Sequence, residues 1–152
     1  MGRVIEWARA LTVLNGSPHG IAGGFALGIA LSLVPIPVLG MLAALALAPV
    51  LRLNPPATYL GTAVVNPLTG TAFYFGELWL GLWLVGQPTP SWDEARAMGA
   101  AQWWALFTDL LGPFALGAAV FITVGGSLSY GIVLVLSRRW QARRKGAASK
   151  TK

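Results

Sequence analysis

Residues 20–51 read GIAGGFALGIALSLVPIPVLGMLAALALAPVL, an apolar run with no charged side chain and with Pro35-Ile36-Pro37 at its centre. A run of this length without prolines would be read as one membrane-spanning helix with length to spare. Proline removes a backbone donor, clashes with the preceding turn and pushes the residue before it out of the helical region. Two prolines one residue apart therefore end a helix. The arms on either side, about 18–34 and 38–51, hold roughly 14 to 17 residues. At 1.5 Å per residue each reaches about 21 to 25 Å, short of a roughly 30 Å hydrocarbon core. A hairpin that enters and returns on one side fits these lengths better than two full spans.

The arms also carry small residues at helical spacing. Gly20, Gly24, Gly28 and Ser32 make one ridge, and Gly40, Ala44 and Ala48 make another. Such ridges let helix backbones approach closely where lipid supplies no hydrophobic drive for association. A second apolar stretch, 57–86, follows the polar break Leu51-Arg52-Leu53-Asn54-Pro55-Pro56 and is itself interrupted at Asn66-Pro67. The chain thus repeats helix, proline break, helix.

Working outward, residues 2–14 read as an amphipathic helix, with Arg3, Glu6 and Arg9 on one side and Val4, Trp7, Ala8 and Leu11 on the other. Such a helix suits the headgroup plane. Residues 87–109 form the polar connection, where Ser91 and Glu94 have capping-box spacing and predict a helix start. Residues 110–137 carry no charge and read as a transmembrane helix. The tryptophans at 7, 79, 83, 92, 103, 104 and 140 fall near the ends of apolar segments, as in an interfacial aromatic belt.

Composition agrees with this layout. Of 152 residues, 55% are hydrophobic and 11% charged, against about a quarter charged in a soluble domain. The net charge of +6 is concentrated in the tail, at Arg138, Arg139, Arg143, Arg144, Lys145, Lys150 and Lys152. Beside an apolar segment, a basic tail marks the cytoplasmic side of a membrane rather than a nucleic-acid partner. The expected fold class is all-α integral membrane, with re-entrant or broken helical hairpins plus about two full transmembrane helices. Its expected parts are an interfacial helix (1–16), a membrane domain (17–137) and a basic cytoplasmic tail (138–152). The membrane domain divides into a first broken hairpin (17–52), a second broken segment (54–86), an external connection (87–109) and a span (110–137). Both termini are expected in the cytoplasm of a multi-pass inner-membrane protein.

Chemistry is sparse. The chain has no cysteine and one histidine, so a cysteine-based or single-histidine metal site is not expected, nor any cofactor. Nothing resembles a hydrolytic triad or a P-loop, and the expectation is that this is not an enzyme. Broken helices at membrane depth present free N–H groups and the positive end of the helix dipole, which suit an anion such as phosphate. The candidate ligand-binding residues are Arg52, Asn54, Asn66, Glu77 and His19, for an anionic lipid. Three have a structural alternative: Asn66 as a helix cap, Arg52 as a snorkelling interfacial cation and His19 as a surface cap. Glu77 is the most informative, because an acid within an apolar segment is costly and functional by default, as a proton relay or ion partner. The breaks themselves are assigned to Pro35, Pro37 and Pro67, and the tight packing to Gly20, Gly24, Gly28 and Gly40.

Ser17-Pro18-His19-Gly20-Ile21-Ala22, Gly24-Phe25-Ala26-Leu27-Gly28, Pro35, Gly40, Arg52-Leu53-Asn54, Gly61-Thr62 and Asn66-Pro67-Leu68-Thr69 together resemble a bacterial membrane family. It is the one catalogued as domain of unknown function 2062. The resemblance covers about residues 17–86 and departs from the family at Glu77, where members typically carry an aromatic residue. The architecture is also similar to small transporters that return polyprenyl phosphate carriers across the inner membrane. That likeness implies a flippase for undecaprenyl (polyprenyl) phosphate, with membrane lipid as its partner. The alternative is a non-catalytic scaffold or accessory subunit for an envelope glycosyltransferase or other envelope-biosynthesis protein. With so few full spans to cover its broken segments, the chain is expected to be a homo-oligomer.

Overall fold

The computed structural model describes residues 16–34, 37–88, 97 and 99–149. The amphipathic helix expected over 2–14, the Pro35 break and the Ser91/Glu94 capping box lie outside these residues. The described residues form five helices: α1 (Pro18–Ser32), α2 (Pro37–Val50), α3 (Pro55–Thr62), α4 (Pro67–Val85) and α5 (Ala100–Ser149). No strand occurs among the described residues.

Four of the helices begin with proline at the first helical position, where its missing N–H costs nothing and its fixed φ is already helical. Three of these starts are capped by the preceding residue. Ser17 Oγ accepts from the Gly20 amide at 3.0 Å, Asn54 Oδ1 from the Ala57 amide at 3.0 Å, and Asn66 Oδ1 from the Leu68 amide at 2.9 Å and the Thr69 amide at 3.2 Å. At Asn66 the box is closed, because its own amide donates to Thr69 Oγ1 at 3.0 Å. Replacing Asn66 by alanine is expected to lower stability by about 1–2 kcal/mol, measured by thermal unfolding in mild detergent. A loss of only a few tenths would mean that Thr69 alone fixes the start of α4.

The chain turns back on itself at both ends of the α1–α2 pair. α2 closes in a Schellman motif, in which the Leu53 amide donates to the Ala48 carbonyl at 2.8 Å and the Arg52 amide to the Pro49 carbonyl at 3.0 Å. This geometry requires a left-handed residue, and Arg52 supplies it at φ 56°. The next amide, Asn54, donates to the Gly20 carbonyl at 3.0 Å. The chain has thus come back to the level at which α1 began. α1 and α2 form a helical hairpin.

α3 then sets out again beside α1 and parallel to it. The contact is backbone on backbone: a Cβ at Gly24 would lie 2.6 Å from the Asn54 carbonyl, and one at Gly28 would collide with the Thr58 carbonyl. Gly61 answers from α3, where a Cβ would collide with the Phe25 carbonyl. Glycine is needed here for close approach, since no side-chain rotation can relieve a clash with backbone. Gly40 of α2 meets the Leu31 carbonyl in the same way.

After a break at residues 63–66, α4 continues away from the hairpin, and α5 returns antiparallel along the whole length. The C-terminal half of α5 packs on α1 and its N-terminal half on α4. The core contains Ile21, Ala22, Phe25, Ala57 and Val133, with Ile29, Leu60, Val64, Tyr130 and Leu134 packed around it. α5 runs unbroken past residue 110 and through Arg138–Arg143. The span expected over 110–137 and the basic residues after it thus lie in one continuous helix. Arginine and lysine are good helix formers, and Pro113 lies inside the helix without ending it.

The distribution of apolar surface is unusual for a water-soluble bundle. Val38, Leu39, Leu42 and Val50 of α2, and Leu116, Val124, Leu128 and Ile132 of α5, all lie exposed. Among the described residues one helix is long and apolar enough to cross a membrane, Trp104–Arg143.

Candidate functional site

Both helix breaks lie at the same level. Ser32, the last residue of α1, is twelve positions beyond Gly20, and Asn66 is twelve beyond Asn54. Gly20 and Asn54 are hydrogen-bonded to each other. Twelve residues of α1 cover about 18 Å, and a Cβ at Gly28 would stand 2.7 Å from the Thr62 amide, so the end of α1 and the irregular residues 63–66 after α3 come side by side, with Asn66 itself exposed. α4 also joins the first break directly. Side chains on a helix lean toward its N-terminus, and Tyr74 reaches back so that its hydroxyl donates to the Ser32 carbonyl at 3.1 Å. That carbonyl belongs to the last turn of α1, where it has no intrahelical partner.

One turn further along α4 lies Glu77. Its side chain is 0% exposed, and neither carboxylate oxygen has a hydrogen-bond partner among the described residues. The burial follows from the closeness of α4 and α5. A Cβ at Gly117 would collide with the Glu77 carbonyl, and one at Gly81 with the Pro113 carbonyl. The two backbones touch, and among the described residues no hydrogen-bond donor is brought to the carboxyl group. Beyond it, Leu78, Phe107, Leu110, Leu111 and Phe114 line an apolar cavity of about 260 Å³.

A third group of polar residues gathers at the end where α1 begins. Arg138 Nη2 donates to His19 Nε2 at 2.9 Å. Arginine has only donors, so Nε2 accepts and the ring carries its hydrogen on Nδ1, which donates to Tyr130 Oη at 2.6 Å. Gln141 Nε2 donates to the Gly16 carbonyl at 2.8 Å. The exposed Arg52 turn packs at this same end, with its carbonyl 3.7 Å from where a Gly20 Cβ would stand.

The five candidate residues do not form one pocket. His19, Arg52 and Asn54 lie at the basic end, Asn66 at the breaks, and Glu77 about 16 Å of helix beyond Asn66. Both asparagines serve as caps, and His19 binds α1 to α5. Glu77 has no such structural task visible in its contacts. Tyr74 and Tyr130 were not among the candidates. Their signal lay in spacing: Tyr74 is three residues before Glu77, and Tyr130 is eight before Arg138, each pair on one helix face.

A family model described as "Uncharacterized protein conserved in bacteria (DUF2062)" matches residues 3–146. The match extends well beyond residues 17–86, the stretch whose motifs carry the resemblance. Comparison with curated proteins and with solved structures finds no match.

Proposed function

The chain belongs to the bacterial family of domain of unknown function 2062, and we propose that it is an integral inner-membrane transporter that moves an anionic lipid of the polyprenyl phosphate class across the bilayer. The observation that carries this reading is the meeting of two helix breaks about 18 Å from the basic end. With that end at one interface, the breaks fall inside a roughly 30 Å hydrocarbon core. Irregular backbone at such depth is tolerated only where protein buries it or it lines a cavity. Transporters use this arrangement for their binding sites.

The remaining features fit the same task. Arg52, exposed beside the start of α1, and Arg138, on the same end, supply cations where a lipid phosphate would first be met. The apolar cavity near Glu77 suits a hydrocarbon chain. The exposed leucines and valines of α2 and α5 are what a bilayer would cover. In this placement the α1–α2 hairpin is re-entrant, α3 and α4 make one broken crossing and α5 makes the return. Both termini then belong on the cytoplasmic side, following the basic residues.

The test uses the full chain in phosphatidylcholine vesicles carrying a fluorescent polyprenyl phosphate, with the outer leaflet chemically quenched. Protein-containing vesicles are expected to quench completely, and protein-free ones only by half. Equal quenching in the two, with and without a proton gradient, would sink the reading.

A second reading, an accessory subunit or homo-oligomer, is favoured by small residues on α5. Among the described residues nothing lies within 4 Å of a Cβ at Gly125, Gly126 or Gly131, and such positions let another helix approach closely. A partner recovered at fixed ratio, together with normal envelope synthesis after Arg52 and Glu77 are neutralised, would replace the transport reading with this one.

A further inference from the structure

Tyr74 and Glu77 share a face of α4, and Tyr74 lies within electrostatic reach of the Glu77 carboxyl group. Among the described residues neither Glu77 carboxyl oxygen has a hydrogen-bond partner. From α5 this stretch meets Phe114, Gly117 and Phe121, with the Tyr74 and Phe114 ring centres 6.5 Å apart. From α1 it meets the Ser32 carbonyl through Tyr74. The acid nearest on α5, Asp109, is exposed and eight residues from Gly117, about 12 Å along the helix. Tyr74 is therefore the ionisable group that shares the α4 face of Glu77 and interacts with it electrostatically.

A tyrosine hydroxyl has one hydrogen to give. It is now given to the Ser32 carbonyl at the first break. A protonated Glu77 makes no strong demand on that hydrogen. A carboxylate does, because a hydrogen bond to an ionised acceptor is roughly twice as strong as one between neutral groups. A buried carboxylate without any donor would in addition bear its full desolvation cost. The single hydrogen cannot satisfy both acceptors.

We propose that Glu77 is a proton-binding site, and that loss of its proton moves the Tyr74 hydrogen bond from the Ser32 carbonyl to the Glu77 carboxylate, releasing the first helix break from α4. The only covalent change is the O–H bond of the carboxyl group, whose proton is exchanged with water. The break is thereby latched in one protonation state and free in the other. As a coupling element for lipid transport this rests on the function proposed above. The latch itself operates without substrate and is tested without it.

The chain has no natural cysteine, so a nitroxide on Val34→Cys reports motion of the first break alone. The labelled full chain in phosphatidylcholine vesicles is taken through a pH series, with infrared difference spectra recorded on the unlabelled chain. In the otherwise natural chain, a carboxyl stretch is expected to disappear as pH rises. The ratio of mobile to immobile nitroxide should rise by about fivefold, the change that one ordinary hydrogen bond allows. Glu77→Gln should lack that stretch and keep the nitroxide immobile throughout. Tyr74→Phe should keep the stretch and leave the nitroxide mobile throughout. Both replacements are close in shape to the residues removed, and circular dichroism checks that the helices persist. A carboxyl stretch untouched by Glu77→Gln would overturn the proton site. A Tyr74→Phe chain whose nitroxide still responds to pH as before would overturn the latch. Neither result bears on whether vesicles carrying the protein move polyprenyl phosphate.

Discussion

Gly28→Val is expected to destabilise the fold by more than about 3 kcal/mol, the upper range for overpacking a rigid contact. The new Cβ would collide with the Thr58 carbonyl and stand 2.7 Å from the Thr62 amide and 2.9 Å from the Gly61 Cα. All three are backbone atoms of α3, so no rotamer change makes room. The helices must separate, and the hydrogen bond from Asn54 to Gly20 at their base is strained with them. Gly126→Ala provides the contrast. Nothing lies within 4 Å of its Cβ, and alanine is the better helix former by up to about 1 kcal/mol. Unfolding in mild detergent should separate the two variants by several degrees or more. If both behave alike, α1 and α3 do not touch as described.

Arg52→Gly is expected to separate stability from function. Arg52 holds a left-handed conformation at φ 56°, which costs an ordinary residue about 1–2 kcal/mol and glycine almost nothing. The Schellman turn should therefore form at least as well in the variant, and the protein should unfold no earlier than before. Transport should nevertheless fall by about tenfold or more, since a charge-assisted bond to phosphate is worth about 1.5–3 kcal/mol. Retaining arginine at a position made for glycine is the observation that motivates a role for its side chain. Arg52→Lys, which keeps the charge, should retain much of the activity. A glycine variant that transports at the unaltered rate would reduce Arg52 to a turn residue. One that unfolds early would show that the side chain, and not its charge, supports the turn.

The helices were largely legible before any coordinates, because their punctuation is local. Pro18, Pro55 and Pro67 with Ser17, Asn54 and Asn66 before them mark three helix starts. The glycines at 20, 24 and 28 follow the repeat of one helix face. The change from apolar to basic at Arg138 marks a membrane boundary in the sequence but not a helix end. Arg138 and Arg139 favour helix as well as leucine does, and the backbone runs on through them. Among the candidate site residues, the capping roles of Asn54 and Asn66 depend on atoms within three or four positions of themselves, and the sequence reading included the cap at Asn66 but not the one at Asn54.

What the sequence determined alone was therefore everything set by neighbours along the chain: where helices start, where prolines end them, and which faces are small enough to touch. Only the tertiary structure decided that Asn54 returns to Gly20, that the two breaks lie side by side, and that Tyr74 closes one of them. These contacts join residues thirty or more positions apart, and helical spacing says which face a residue occupies but not which helix will meet it. Glu77 shows the difference most plainly. Its acid character could be read from one letter, whereas its burial without a hydrogen-bond partner among the described residues depended on Gly117 bringing the backbone of α5 against α4.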